Sequence, residues 1–343
     1  MEFGLTFGFQ VMPESGTAWN EPYQDMLTCL PRAEELGYTS ASVVSHHAKT
    51  DGTCPGLLIA CAAAAAVTKT MRIGTTVLLV PLYAPLKLAE DIAVLDNVSQ
   101  GRFTFGVAPG YMTEEFLAHG VPKEERVGRF EEALDLMTMA WTQERFEFNG
   151  KYYQVPETVM TPKPLQKPHP LIRYGVSATR SLQAAAKRRA VQIMSPRHGF
   201  AELKAHYEIY DAAVKAEGWV PPERPLMRCL FVAPTKEQAE ALAAPALNHL
   251  FREIYGRASA DGDRALHTDD GTVVTDFSQV DFSIIKDRFI IGDPDYAVEM
   301  LQRYRDAFDP TELNCFMHMA GISGADAMKS VELFAKEVMP HFV

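Results

Sequence analysis

What this chain of 343 residues lacks narrows its class first. It has no extended Lys/Arg block, and its formal net charge is -11. Nucleic acid and anionic membrane surfaces are therefore poor partners for it. Its five cysteines, Cys29, Cys54, Cys61, Cys229 and Cys315, are odd in number, scattered and without a C-x-x-C pair. That pattern argues against a disulfide framework or a zinc knuckle and fits buried thiols in a reducing compartment. The opening MEFGLTFGFQ has no basic segment leading into a long apolar core, and the alanine-rich LLIACAAAAAV is too short to span a bilayer. A cytoplasmic protein without membrane contact is expected. Neither the dinucleotide fingerprint nor the Walker spacing occurs, which disfavours the usual NAD and ATP folds.

What is present is a regular alternation. With 47% apolar residues the chain can bury a large core. Short β-branched or aromatic runs alternate with helical patterns, the signature of repeated βα units around a parallel sheet. Eight strands are predicted, at 2–9, 39–45, 72–80, 102–108, 171–176, 191–195, 226–233 and 312–319. Eight closes a (β/α)8 barrel, and no linker is visible, so the expectation is one domain over 1–343 with insertions near 146–170 and 248–291. The first contains the hairpin-like FEFNGKYYQV; the second is polar and has the length of a lid. Among the helices, PYQDMLTCLPRAEELG should end at Gly37 with a kink or break at Pro31, PLKLAEDIAVLDNVSQG should end at Gly101, and ADAMKSVELFAKEVM should run toward Pro340. The helix over 57–67 has almost no polar face, so a partner subunit or a lid of the same chain must cover it.

In such a barrel the active site lies at the C-terminal ends of the strands. His46 and His47, in VVSHHAKTDG, close the second predicted strand. Neighbours on a strand point to opposite sides, so only one can enter the mouth. A metal hydrolase usually sets two histidines one residue apart, a spacing this pair does not have; His198, His318 and Asp51 leave a scattered metal site as a minority reading. A histidine that moves protons near neutral pH fits better. After the fourth strand, FGVAPGYMTEEF brings Gly106 and Gly110, which allow close backbone approach to a ligand. YGVSATRSLQAA sets Ser177, Thr179 and Ser181 at a helix start, where the hydroxyls either cap the helix or help hold a phosphate. In ERVGRFEEALDLMTMAW, Arg129 either reaches that phosphate or pairs with Glu125 or Glu132, and Arg126 shares its first turns.

Taken together, FGLTFGFQ, SHH, RIGTTVLLVPLYAPLKLAEDIAVLDNVSQGRFTFGVAPG, ERVGRFEEALDLM, YGVSATRS and SVELFAKEVMPHF resemble the bacterial luciferase-like monooxygenases, a family of flavin-dependent (β/α)8 TIM barrels. The resemblance spans nearly the whole chain. It implies reduced FMN in the barrel mouth, supplied by a separate flavin reductase, and reaction with O2 through a C4a-hydroperoxide to oxygenate an organic substrate such as an aldehyde or ketone. It implies His46 as the active-site histidine, with His47 as its neighbour. Thr76-Val77 matches a point where members can carry a cis peptide against the flavin ring.

The resemblance further implies phosphate contacts from Arg129, Thr179 and Ser181, and flavin-edge contacts from Ala108, Gly110, Val176 and Ser195. Phe9, Tyr111, Arg197, His198 and His318, with the lid over 248–291, would form the substrate pocket. No metal is implied. A homodimer through the helices after the second and third strands is implied, in line with the apolar helix over 57–67.

Two positions depart from the luciferase type: Pro109 stands where an arginine follows the fourth strand, and Ser45 where a glutamate precedes the histidines. Light emission is therefore not implied. These departures keep open a non-catalytic flavin-binding paralogue or partner subunit, and some members of the family use a deazaflavin instead of FMN.

Overall fold

The computed structural model describes residues 1–12, 14–256, 265–268 and 271–342. Eight parallel strands are β1 (Glu2–Phe7), β2 (Ser40–Val43), β3 (Arg72–Thr75), β4 (Phe103–Ala108), β5 (Leu171–Tyr174), β6 (Val191–Gln192), β7 (Pro225–Val232) and β8 (Glu312–His318). They lie in the order β7-β8-β1-β2-β3-β4-β5-β6, the cyclic order of a (β/α)8 barrel, with no ladder joining β6 to β7 among the described residues. β1, β4 and β7 are buried along their lengths, apart from Glu2, and read as apolar runs because both faces of a barrel strand are covered.

Two strands differ from the sequence expectation for physical reasons. The predicted strand 72–80 is broken: β3 stops at Thr75, the Thr76–Val77 peptide is cis, and Leu78–Leu79 then pairs with β4. At the break β3 and β4 approach closely. A Cβ on Gly106 would lie 1.9 Å from the Thr75 carbonyl oxygen, and Thr75 Oγ1 donates to the Gly106 carbonyl at 2.7 Å. The other difference is a short strand, Ile290–Gly292, inside the predicted lid; it pairs in parallel with residues 230–232 of β7.

Helices α1 (Glu21–Glu35), α2 (Leu57–Val67), α3 (Pro85–Val98), α4 (Thr113–Ala118), α5 (Arg126–Thr142), α6 (Thr179–Lys187), α7 (Phe200–Ala216), α8 (Lys236–His249), α9 (Pro294–Phe308) and α10 (Gly324–Glu337) complete the βα alternation. Pro31 does not end α1, which continues to Glu35; Gly37 follows with φ +95°. α2 buries Leu57, Ala60, Cys61, Ala64 and Ala65 but leaves Ile59 79% exposed. The lid alternative for this face therefore fails among the described residues. Val94 and Val98 on the adjacent α3 are 48% and 55% exposed.

The far end of the barrel is closed by buried charge. Arg173 bridges Glu312 and Glu223, both at 2.6 Å through Nη2, and Ser40 donates to Glu312. Removing one partner of such a buried network typically costs about 3–5 kcal/mol. With that end sealed, the strands' C-terminal ends are left as the mouth.

The first excursion forms the antiparallel hairpin Phe146–Asn149 with Gln154–Thr158. The second continues α8 as a π-helical turn, Leu250–Tyr255, and packs Phe251, Phe277, Ile285 and Phe289 around Phe316 of β8 and Met112. Residues 257–264, 269 and 270 of the predicted lid lie outside the described residues. Among the described residues no helix is long and apolar enough to cross a membrane.

Candidate active site

The mouth encloses a cavity of about 270 Å³, close to the lower end of the range usual for small-molecule sites, about 300–1,000 Å³. Its walls come from the strand ends because β2 and β6 stop short of their predicted limits, and residues 44–46 and 193–198 turn inward. Of the residues expected at the site, His46, Thr76, Val77, Ala108, Gly110, Tyr111, Val176, Ser181, Ser195, Arg197 and His198 line this one cavity. His47, Arg129, Thr179, Phe9 and His318 do not.

The histidine pair divides as expected, although β2 ends at Val43 and the turn after it, not alternation along a strand, separates the two side chains. His46 faces the cavity, and its Nδ1 lies 3.0 Å from Glu115 Oε1. His47 turns away, its ring 4.6 Å from that of His119 and 6.4 Å from that of Tyr83. Its backbone N–H donates to the same Glu115 oxygen at 2.9 Å. Glu115 is 0% exposed. Burial alone would raise its carboxyl, but the hydrogen bond and charge of His46, with the His47 N–H, outweigh burial and hold it below the usual carboxylate value. Burial and the neighbouring His119 push His47 down. A carboxylate on Nδ1 makes that nitrogen the N–H donor of the pair and fixes the orientation of the ring.

Glu115 was not singled out in the sequence. It comes from α4, and its only local signal is an acidic residue in the first helical turn, a place acids favour for reasons unrelated to chemistry.

One wall includes the N-terminus of α6. α6 starts at Ala178, which cannot cap it, and no side chain takes that role. The capping alternative for Ser177, Thr179 and Ser181 is thus not what the structure shows. Ser177, Ala178, Ser181 and Arg126 all line the cavity, while Thr179 is exposed. Arg129, three residues further along α5, is held by Glu125 at 2.7 Å, with Tyr152 and Tyr153 of the hairpin against its guanidinium. Of the two arginines in the ERVGR segment, it is Arg126 that reaches the cavity. Opposite, Gly110 has φ +79°, and a Cβ there would meet Phe116 at 2.9 Å, so no other residue lets the chain turn this tightly.

The remaining predicted residues fall into two groups. Ser195 Oγ lies 3.4 Å from the Tyr255 hydroxyl, and burial drives that phenol well above its usual value. His198 is buried against His206, ring centroids 4.7 Å apart, and burial lowers its pKa to about 4. Phe9 and His318 sit instead at a neighbouring cleft. Phe9 stacks on Tyr23 at 4.4 Å, and His318 lies 4.5 Å from Phe7 with its pKa lowered by burial to about 4. Asp51 accepts from Gln10 at 2.9 Å and lies 3.7 Å from His249 at the end of α8, linking the loop after β2 to the second excursion. Among the described residues no three His, Cys, Asp or Glu side chains cluster as a metal site.

Comparison with known proteins gives this geometry a context. The family model described as luciferase-like monooxygenase matches residues 1–309. The chain is 26% identical over 354 aligned positions, covering 100% of it and 96% of the relative, to the oxygenase component of a flavin-dependent trigonelline monooxygenase of Acinetobacter baylyi. In structure it resembles the monooxygenase RslO1 of Streptomyces bottropensis, with a TM-score of 0.87, 24% identity and 100% of each chain covered. It also resembles the oxygenating constituent of 3,6-diketocamphane monooxygenase of Pseudomonas putida, a type II Baeyer-Villiger enzyme solved with FMN. There the TM-score is 0.83 at 23% identity, covering 100% of this chain and 99% of the other.

Proposed function

Because the chain belongs to the luciferase-like monooxygenases, flavin-dependent oxygenating enzymes, we propose that it is the oxygenase of a two-component system. On this reading the whole chain acts as one domain, takes reduced FMN from a separate reductase, and oxygenates a small or medium organic substrate at an aldehyde or ketone carbon. One observation carries the reading: His46, held by the buried Glu115 at 3.0 Å, faces the same cavity as the open α6 N-terminus and Arg126. A relative described as an oxygenase component supports the separate reductase.

The residues present fit the cofactor. Arg126, Ser177, Ser181 and the first N–H groups of α6 form a donor set for a phosphate. The Thr76–Val77 turn, Ala108, Gly110 and Val176 form a wall of small and apolar groups for a flat ring. Reduced FMN, when bound, supplies the electrons that activate O2. The chain supplies the rest. His46 Nε2, with Nδ1 committed to Glu115, holds or passes a proton at the reacting face. Val44, Leu79, Ile193 and Met194 keep water from that face.

The two departures from the luciferase type then have local replacements. Glu115 orients His46 where Ser45 cannot, and Arg126 supplies the cation that Pro109 lacks. The exposed Ile59, Val94 and Val98 support a homodimer through α2 and α3. Five buried free thiols support a cytoplasmic setting.

The test is rapid mixing of the protein and anaerobically reduced FMN with oxygenated buffer, against a protein-free control. The protein should slow the return of oxidised-flavin absorbance. No change from the control overturns FMN oxygenation, and tight binding of a deazaflavin in the same preparation would name the cofactor instead. Flavin retention without oxygenated product from any carbonyl compound would favour a non-catalytic paralogue.

A further inference from the structure

We propose that Arg197 anchors an anionic group of the substrate, a carboxylate on a mostly apolar body. This rests on the flavin reading above, because it concerns the part of the cavity which that reading leaves over.

The cavity is electropositive inside an acidic protein. The chain's formal net charge is -11, yet among the described residues those lining the cavity include Arg126 and Arg197 and no Asp or Glu. The flavin reading assigns Arg126, with Ser177 and Ser181, to the cofactor phosphate, which accounts for one cation. Arg197 sits elsewhere, on the loop after β6.

Its backbone is fixed on both sides. The Arg197 N–H donates to Ser195 Oγ at 3.3 Å, and its carbonyl accepts from Arg288 Nη1 at 2.6 Å. Its guanidinium, by contrast, has no hydrogen bond or ion pair among the described residues. The nearest carboxylate along the chain, Glu202, is engaged elsewhere: it accepts from the Gly199 N–H at 3.0 Å and faces Arg288 at 3.5 Å and His198 at 3.9 Å. His198 itself is held neutral by burial and Arg288 faces the Glu202 carboxylate, so among the described residues the charge that this wall presents to the cavity is that of Arg197.

The surroundings indicate the rest of the ligand. Met227, Leu250, Ile254 and Phe316 line the same cavity, together with the rings of Tyr111 and Tyr255. An apolar body packed there would leave its charged end for the guanidinium, whose planar fork matches a carboxylate bidentately. A cation already stripped of part of its water gains more from such a partner than an exposed one does.

The experiment uses the protein loaded with oxidised FMN and follows the absorbance of the bound flavin. Cyclohexanecarboxylate, benzoate and octanoate are titrated alongside their methyl esters, in wild type and in Arg197→Gln. At least one acid should bind more tightly than its ester. Arg197→Gln should weaken that acid about 10–100-fold, the loss expected for a hydrogen bond to a charged group, and leave the ester and FMN within about twofold. Arg197→Lys, which keeps charge without the fork, should fall between. Equal binding of every acid and ester, or an acid unaffected by Arg197→Gln, overturns the proposal. So does release of FMN from Arg197→Gln, which would put this arginine on the cofactor. If wild type fails to take up FMN, the flavin reading fails on its own, and calorimetry of the same acids on the flavin-free protein and on Arg197→Gln still decides the role of Arg197.

Discussion

Replacing Glu115 should cost oxygen chemistry and stability while sparing flavin binding. Its Oε1 receives both His46 Nδ1 at 3.0 Å and the His47 N–H at 2.9 Å, inside a site where the side chain has no solvent contact. Hydrogen bonds to a charged group are worth about 1.5–3 kcal/mol each, and a buried N–H left without a partner costs about 1–3 kcal/mol. Glu115→Ala should therefore lower unfolding free energy by about 3–5 kcal/mol. Glu115→Gln keeps a carbonyl oxygen that can accept from both donors but removes the charge that strengthens those bonds, and should lose about half as much.

A positioned acid-base group contributes about 10²–10⁴-fold, and a His46 ring free to rotate forfeits part of that. In rapid mixing with reduced FMN, the delay before oxidised-flavin absorbance returns should shorten by about tenfold in Glu115→Gln, the better-folded variant, with the FMN dissociation constant unchanged. In wild type this arrangement should persist at neutral pH and fail only in acid. Glu115 titrates below its usual value, so the stability it contributes is full above the unfolded carboxyl's pKa and is lost as pH falls through the folded one. A Glu115→Gln enzyme with wild-type delay and FMN affinity would refute the positioning of His46 by this carboxylate.

Two further outcomes are expected. His198 has its pKa lowered from 6.5 to about 4 by burial, so the unfolded chain takes up the proton first. The stability it contributes is full above about pH 6.5 and is lost as pH falls toward 4, with a ceiling of about 3 kcal/mol. Urea unfolding at pH 7.5 and pH 5 should show a smaller drop for His198→Leu than for wild type; equal drops would remove His198 from the account. Ile59→Glu, at a position 79% exposed on α2, should convert a dimer to a monomer in analytical ultracentrifugation with little change in the far-UV spectrum. A monomeric wild type, or a variant that still dimerises, would refute the α2–α3 interface.

Local chemistry makes much of the molecule legible in the sequence. The alternation of apolar runs and helical periods marks the barrel strands because each βα unit carries its own period and its own stop residue, as Gly37 does after α1. Side-chain alternation leads to the expectation that only one of His46 and His47 enters the mouth; the outcome is as expected, but β2 ends at Val43 and the turn after it sets the two directions. Tertiary structure decided what depends on distant partners. Glu115 lies 69 residues from His46 and meets it only when α4 folds over the end of β2. Arg126 and Arg129 are equivalent in a helical reading; the Glu125 carboxylate and the Tyr152 and Tyr153 rings hold one away from the cavity that the other lines. The strand Ile290–Gly292 is three residues long, too short to announce itself, and exists because β7 offers a free edge. The break in the run 72–80 goes with the close approach of β3 to Gly106. Periodicity and turn chemistry are properties of adjacent residues, whereas which carboxylate meets which histidine, and which arginine lines the cavity, is settled by packing between segments far apart in the chain.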